Sequence, residues 1–331
     1  MASLTDVARH AKVSTATVSR VINNSDKVTP ETNAAVQRSM AQLGFKPNRV
    51  ARRLRQRTGV RHLLGLIIPD IQNPFYAEMA RGVEDIAYAH RFAVMLCNSD
   101  ENLAKEEFYI DVLRAESVDG IILPPISETD PVVHKLIEAG VPVVTVDRSL
   151  AQRAVDKVVV DNRRGAREAV EYLIKLGHRR IGLITGRLDV STSRERLRGF
   201  KEAMSAHNIP LRENYIRGGD FKQSSGRALA EELLGLSPPP TAFFVLNNLM
   251  TMGALEAIHR RKLRIPKDIA IIGFDDLPWA EALDPPLTVV RQPAYEVGQA
   301  AAKLLLDRLS DPLKAVTHLR LPSKLVIRNS C

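Results

Sequence analysis

Two groups of residues in this chain have types and spacings that could do chemistry. The first is Ser14-Thr15-Ala16-Thr17-Val18-Ser19-Arg20, where short hydroxyl side chains surround one arginine. On the outer face of a helix such residues approach a nucleic-acid groove closely, and a guanidinium reaches guanine through two hydrogen bonds. Behind it comes Asn48-Arg49-Val50-Ala51-Arg52-Arg53-Leu54-Arg55-Gln56-Arg57, whose arginines could neutralise phosphates and whose Leu54 could wedge between base pairs in a minor groove. The second group is scattered: Asp70, Asn73, Phe75 and Tyr76, then Thr192 and Arg196, then Phe221, Asn247 and Asp275. Planar forks and carboxylates pair vicinal hydroxyls, while aromatic rings cover the apolar face of a sugar. Taken singly, each has a plainer use: a solvated helix face, a basic linker, Phe75 or Phe221 as core, Asn248 as a helix cap, Asp276 as a loop acid.

The first group needs a small helical domain to hold it. Ser3 precedes apolar Leu4, Val7, Ala8 and Ala11, with Asp6 three residues on, which is a capping-box pattern. Ser14 can cap a second helix whose Val18, Val21 and Ile22 turn inward. Thr29-Pro30-Glu31 starts a third, with Ala35, Val36, Met40 and Leu43 inside and Gly44 as its stop. Helix, tight turn, helix at this spacing is the helix-turn-helix arrangement. Val50 and Leu54 lie one turn apart on a short fourth helix from Asn48, which like charges make marginal alone. It is expected to fold when phosphates and a second copy of the chain cover it.

Charge follows the same division. Residues 1–61 carry twelve basic and three acidic side chains, whereas the remaining 270 carry 35 of each. A basic head on a neutral body fits a polyanionic partner.

The second group requires an α/β frame. Short apolar runs alternate with helical stretches: strands at 63–69, 92–97, 120–123, 141–146, 181–185, 242–246 and 269–274, with helices at 74–90, 164–176, 194–207, 224–234 and 249–261. Leu64-Gly65-Leu66-Ile67-Ile68 and Ile181-Gly182-Leu183-Ile184-Thr185 look like first strands of two similar halves, with a ligand cleft where strand ends converge. No G-x-G-x-x-G, P-loop, G-x-S-x-G or H-E-x-x-H pattern occurs. The eight histidines show no ligand spacing and the two cysteines, Cys97 and Cys331, no metal or disulfide framework. No enzyme, cofactor or metal is therefore expected. The chain has no export signal and no uninterrupted apolar run of membrane length, which with the cysteine usage points to a reducing cytoplasm.

Leu4-Thr5-Asp6-Val7-Ala8, Val13 to Asn23 and Pro47 to Leu54 closely resemble the head and hinge of the lactose-repressor (LacI/GalR) family. So do Asn73-Pro74-Phe75-Tyr76, Ile272-Gly273-Phe274-Asp275-Asp276 and Leu287 to Pro293 in the body, so the resemblance spans essentially the whole chain. It implies that Thr15, Ala16 and Arg20 face bases, that Ser14, Thr17, Ser19, Asn23 and Lys27 touch the DNA backbone, and that Leu54 is the wedge at the centre of a pseudo-palindromic operator. Asn48, Arg49, Val50, Ala51 and Arg52 complete the DNA-binding set. The implied architecture is a helix-turn-helix head (1–46), a hinge helix and linker (47–61), and a two-lobed periplasmic-binding-protein-like domain (62–331) built on two doubly wound parallel sheets. Its N-lobe comprises 62–161 and 292–321 and its C-lobe 162–291 and 322–331, joined by crossovers near Asp161, Arg291 and Leu321. Lys12 stands where glycine is common in the turn, Arg53 adds a charge to the hinge, and Asn248 replaces the usual Asp. Arg196, Asn247 and Asp275 match positions that hold sugar hydroxyls in carbohydrate-sensing members, and Asp70, Phe75, Tyr76, Thr192 and Phe221 complete the expected effector site. The purine-sensing type carries Arg where this chain has Val190, which counts against a purine. The implied function is that of a homodimeric, sequence-specific repressor of transcription, bound to duplex operator DNA and controlled by a small, sugar-like effector. The alternatives are a catabolite-type regulator controlled by a partner protein, a sugar-binding protein, or an enzyme.

Overall fold

The computed structural model describes residues 3–22, 28–43, 62–151 and 155–331. By their contacts they form two units, divided between Gly59 and Val60. The expectations for Asn23, Lys27, Asn48, Arg49, Val50, Ala51, Arg52 and Leu54, and for the stop at Gly44, lie outside the described residues.

The small unit holds α1 (Leu4–His10), α2 (Thr15–Ile22) and α3 (Pro30–Gln42). Ser3 and Asp6 close a reciprocal capping box on α1. Ser14 Oγ accepts the Thr17 N–H at 3.1 Å to start α2, and Thr29 caps α3 with Pro30 at the first helical position. Val7, Ala8, Val18, Val21 and Val36 bury together as the core. Lys12, in the turn joining α1 to α2, has φ +54°. That left-handed conformation is why glycine suits this place in the turn.

The large unit contains two six-stranded sheets. The first orders its strands β11-β5-β4-β3-β1-β2: β1 (His62–Ile68), β2 (Phe92–Asn98), β3 (Gly120–Leu123), β4 (Val143–Val146), β5 (Asp156–Val160) and β11 (His318–Leu321). The second runs β12-β10-β9-β8-β6-β7: β6 (Ile181–Thr185), β7 (Ile216–Gly218), β8 (Ala242–Val245), β9 (Ala270–Phe274), β10 (Thr288–Arg291) and β12 (Lys324–Val326). Every pairing is parallel except β10 with β12. The chain passes between sheets after β5, β10 and β11.

Helices cover both faces of each sheet, so the strands read as continuous apolar runs. Leu64, Leu66 and Ile68 of β1 pack toward α4 (Pro74–Ala89) and α11 (Ala294–Ser310), while Ile67 packs toward α5 (Leu103–Ala115) and α6 (Pro131–Glu138). In the second lobe, Ile181 and Leu183 of β6 meet α7 (Asn162–Lys175) and α8 (Ser191–Ala206). Ile184, one residue further, points instead toward α9 (Gln223–Leu234) and α10 (Asn248–Arg260). Among the described residues no helix is long and apolar enough to cross a membrane.

Candidate functional site

On the small unit, Val18 and Val21 are buried, while Ser14, Thr15, Ala16 and Arg20 are exposed and Thr17 and Ser19 half-exposed. The 3.6-residue period of α2 produces this split. Ser14 and Thr17 hydroxyls bond each other at 2.9 Å, so both are anchored at the helix start. His10 Nδ1 and Ser39 Oγ lie 3.0 Å apart and join α1 to α3 behind this face.

In the large unit, a cavity of about 270 Å³ opens between the two lobes where the strand ends converge. Asp70, Phe75, Tyr76, Thr192, Arg196, Phe221, Asn247 and Asp275 all line it. Local chemistry puts each there. Asn73 caps α4 through the Phe75 N–H, which presents Phe75 and Tyr76 in the first turn. Asn247 caps α10 by accepting the Met250 N–H, while its Nδ2 donates to the Phe221 carbonyl at 3.0 Å. Arg196 projects from α8 and donates to Asn162 Oδ1 at 2.7 Å and the Leu246 carbonyl at 2.5 Å. Its guanidinium lies 3.7 Å from the Phe274 ring centroid, a cation–π contact that fixes its plane. Phe221 can enter because Gly186 faces it: a Cβ there would lie 2.0 Å from the ring.

The cavity also has lining residues that sequence reasoning missed, among them Glu101, Asp147, Arg148 and Gln292. Arg148 donates to both Glu101 oxygens, at 2.9 and 2.5 Å, and lies 5.5 Å from the Phe221 ring centroid across the cleft. Tyr76 Oη donates to Asp147 at 2.9 Å, and Gln292 Nε2 to Asp275 at 2.5 Å. These four residues lie in segments without helix or strand periodicity, and only the end of β4, just before Asp147-Arg148, could have pointed to two of them. Asp276, the neighbour of Asp275, turns away to bind Arg291 and Arg328. Asn248 is the first residue of α10, not its cap, because Asn247 takes that place.

Two buried lining atoms have no hydrogen-bond partner: Arg148 Nε, a donor, and Gln292 Oε1, an acceptor. Buried polar atoms are almost always paired, and Arg148 Nε has the Asp147 carboxylate 3.6 Å away, too far for a hydrogen bond. Burial acts to lower the pKa of Arg148, but the oxygens of Tyr76, Glu101 and Asp147 outweigh it and hold the guanidinium firmly charged. Burial pushes the Asp275 and Asp147 carboxyls up, opposed by Arg196 and Arg148 respectively as the nearest cations. Backbone strain concentrates here too. Asp100, Glu101, Asp147, Phe221 and Asp275 all have φ between +53° and +73°, and all line the cavity. Non-glycine residues persist in that region only where their surroundings enforce it, commonly at ligand sites. Among the described residues no group of His, Cys, Asp and Glu could hold a metal ion.

Comparison with known proteins bears on both units. Residues 3–48 match the model of bacterial regulatory proteins of the lacI family, and residues 170–331 match a periplasmic binding protein-like domain. Catabolite control protein A of Priestia megaterium is 37% identical over 98% of this chain and 98% of its own. The HTH-type transcriptional repressor PurR of Aliivibrio salmonicida is 35% identical over 94% of this chain and 93% of its own. A solved transcriptional regulator CelR–cellobiose complex superposes with a TM-score of 0.76 at 35% identity, covering 100% of both chains. With a helix-turn-helix in one unit and a two-sheet cleft domain in the other, the chain belongs to the lacI family of bacterial regulatory proteins.

Proposed function

We propose that this chain is a cytoplasmic, dimeric repressor whose cleft takes a small polyhydroxylated effector of about monosaccharide size. The head (1–46) and hinge (47–61) hold operator DNA through the residues named from the sequence, and the two-lobed domain (62–331) reads the effector. The observation that carries the effector class is the cleft lining. Two buried guanidiniums and three rings suit vicinal hydroxyls and an apolar sugar face. The volume, about 270 Å³, sits at the small end of the ~300–1,000 Å³ typical of ligand pockets, which favours a monosaccharide over a larger ligand. Cellobiose in the cleft-domain relative supports the carbohydrate class. By the family resemblance the purine-sensing type carries Arg where this chain has Val190, a buried residue with no side-chain donor. Dimerisation is supported by Ile71, Tyr88 and Leu96, large apolar side chains left 46%, 77% and 44% exposed on the N-lobe around edge strand β2. We read the cleft as a binding site and not a catalytic one, because its acids and bases are committed to one another.

Two measurements test this. Calorimetry against pentoses, hexoses, polyols and nucleosides should find a saturable ligand among the sugars and none among the nucleosides. Mobility shift on genomic fragments should give sequence-selective binding that this sugar alters. Selective DNA binding with no small ligand in the panel would move control to a partner protein, and no selective DNA binding would end the proposal.

A further inference from the structure

One buried polar contact joins the lobes through a residue of the cavity lining, Asn73. Asn248 Nδ2 donates to Asn73 Oδ1 at 2.8 Å, with Asn248 0% and Asn73 8% exposed. Both amides have their orientation forced. Asn73 Oδ1 already accepts the Phe75 N–H at 3.0 Å, so that atom must be the oxygen. Asn248 Oδ1 accepts the Leu249 N–H at 2.8 Å, so its nitrogen must face Asn73. Asn248 of the C-lobe therefore holds the N-lobe residue that caps α4 and sets Phe75 and Tyr76.

Other contacts bridge the lobes too. The Ser149 N–H donates to Ser191 Oγ at 3.0 Å, Arg194 pairs with Glu128, Arg148 covers Phe221, and Gln292, next to a crossover, donates to Asp275. The ion pair has solvent-exposed partners and counts for little. The asparagine bond is buried. It joins two protein groups, so it acts whatever occupies the cleft.

We propose that Asn248 is the latch of the clamshell: its side chain, bonded to Asn73, holds the lobes closed. The inference deepens the effector-cleft reading by assigning its regulation, but it concerns lobe separation and needs no ligand to be tested. The identity of the residue matters more than its size. Aspartate at this position would set a carboxylate oxygen against the fixed acceptor Asn73 Oδ1, in a buried place, and drive the lobes apart. Alanine would only delete the bond. A packing role predicts the reverse order, since aspartate matches asparagine in volume and alanine leaves a void.

The test is a distance between spin labels on exposed Ala104 of α5 and Ser224 of α9, one on each lobe. It uses the full chain with Cys97→Ala and Cys331→Ala, labelled protein diluted with unlabelled copies, and no added sugar. We expect the parent to give a single short separation. Asn248→Asp should shift the closed-to-open ratio by about tenfold or more toward open, and Asn248→Ala by less. A parent already open, an unchanged Asn248→Asp distribution, or alanine opening as far as aspartate would each overturn the latch. If Asn248→Asp does not fold, Asn248→Ala decides: an opened fraction supports the latch, and an unchanged distribution overturns it. Failure of every sugar to bind would count against the effector reading and leave this result untouched.

Discussion

At the scale of single residues, charge burial dominates, and Glu106 is its sharpest case. It is 0% exposed on α5, and neither carboxyl oxygen has a donor. It faces Asp130, whose oxygens already accept the N–H groups of Ile126, Val132 and Val133. Burial, reinforced by that carboxylate, holds Glu106 up at about 9, so it is protonated at neutral pH. A carboxyl whose pKa is raised on folding contributes fully below about pH 4.5, where both states are protonated. Its contribution falls by about 1.4 kcal/mol per unit as the unfolded chain ionises, until the folded group titrates near 9. Glu106→Gln should therefore gain stability over the parent from pH 5 to pH 9 in urea titrations, and parallel curves would show that the proton is not held. Arg148 and Glu101 make the complementary case. Their side chains are 5% and 17% exposed and bonded as a fork, so Arg148→Ala should cost about 3–5 kcal/mol by stranding Glu101. Arg148→Met with Glu101→Gln should cost markedly less. Equal losses would mean that the pair is not energetically coupled. None of these four residues was legible in the sequence as a site. A buried pair takes its meaning from a partner tens of positions away, and no periodicity marks it.

At the scale of elements, more could be read in advance. Capping residues are local chemistry, so Ser3, Ser14 and Thr29 could be assigned before any fold was known, and each makes its cap bond. Core strands were legible because both faces are covered and the apolar run is unbroken. Others were not: β5, β7, β10 and β11 were missed, since short or half-exposed strands carry a weak pattern, and so was helix α11. Helices α5 and α6 were missed for another reason: α5 mixes charged and apolar residues around its whole circumference, and α6 is only eight residues long. The turn between α1 and α2 carries a prediction of this scale. Lys12 holds φ +54° with an exposed side chain, so it contributes strain and no packing. Lys12→Gly should relieve about 1 kcal/mol in the folded head, less the added freedom of the unfolded chain. The thermal transition of the head should rise or hold level in the full-length protein. A clear fall would mean that the lysine side chain contributes a contact worth more than the backbone strain.

At the scale of the whole molecule, the two units divide the work by charge. All of the net charge, +9, belongs to residues 1–61, and the 270 residues behind them are neutral. Attraction to DNA is then a property of the head, while specificity and control need the rest: a neutral body adds no sequence-independent pull that an effector would have to overcome. This division fixes how binding must respond to salt. Each phosphate neutralised by a basic side chain contributes about 0.9 to the slope of log K against log salt. Arg49→Ala and Arg52→Ala, in the basic stretch before Leu54, should each flatten that slope by about one unit per protomer on a fragment selected from genomic DNA. Arg260→Ala, an exposed arginine of the neutral body, should leave it unchanged. Leu54→Ala removes no charge, so it should keep the full slope yet lose specific affinity more than nonspecific affinity, because a wedge acts only where the duplex is kinked. A slope that responded equally to Arg260 and Arg49 would place DNA across the body as well as the head, and the separation of attraction from control would fail.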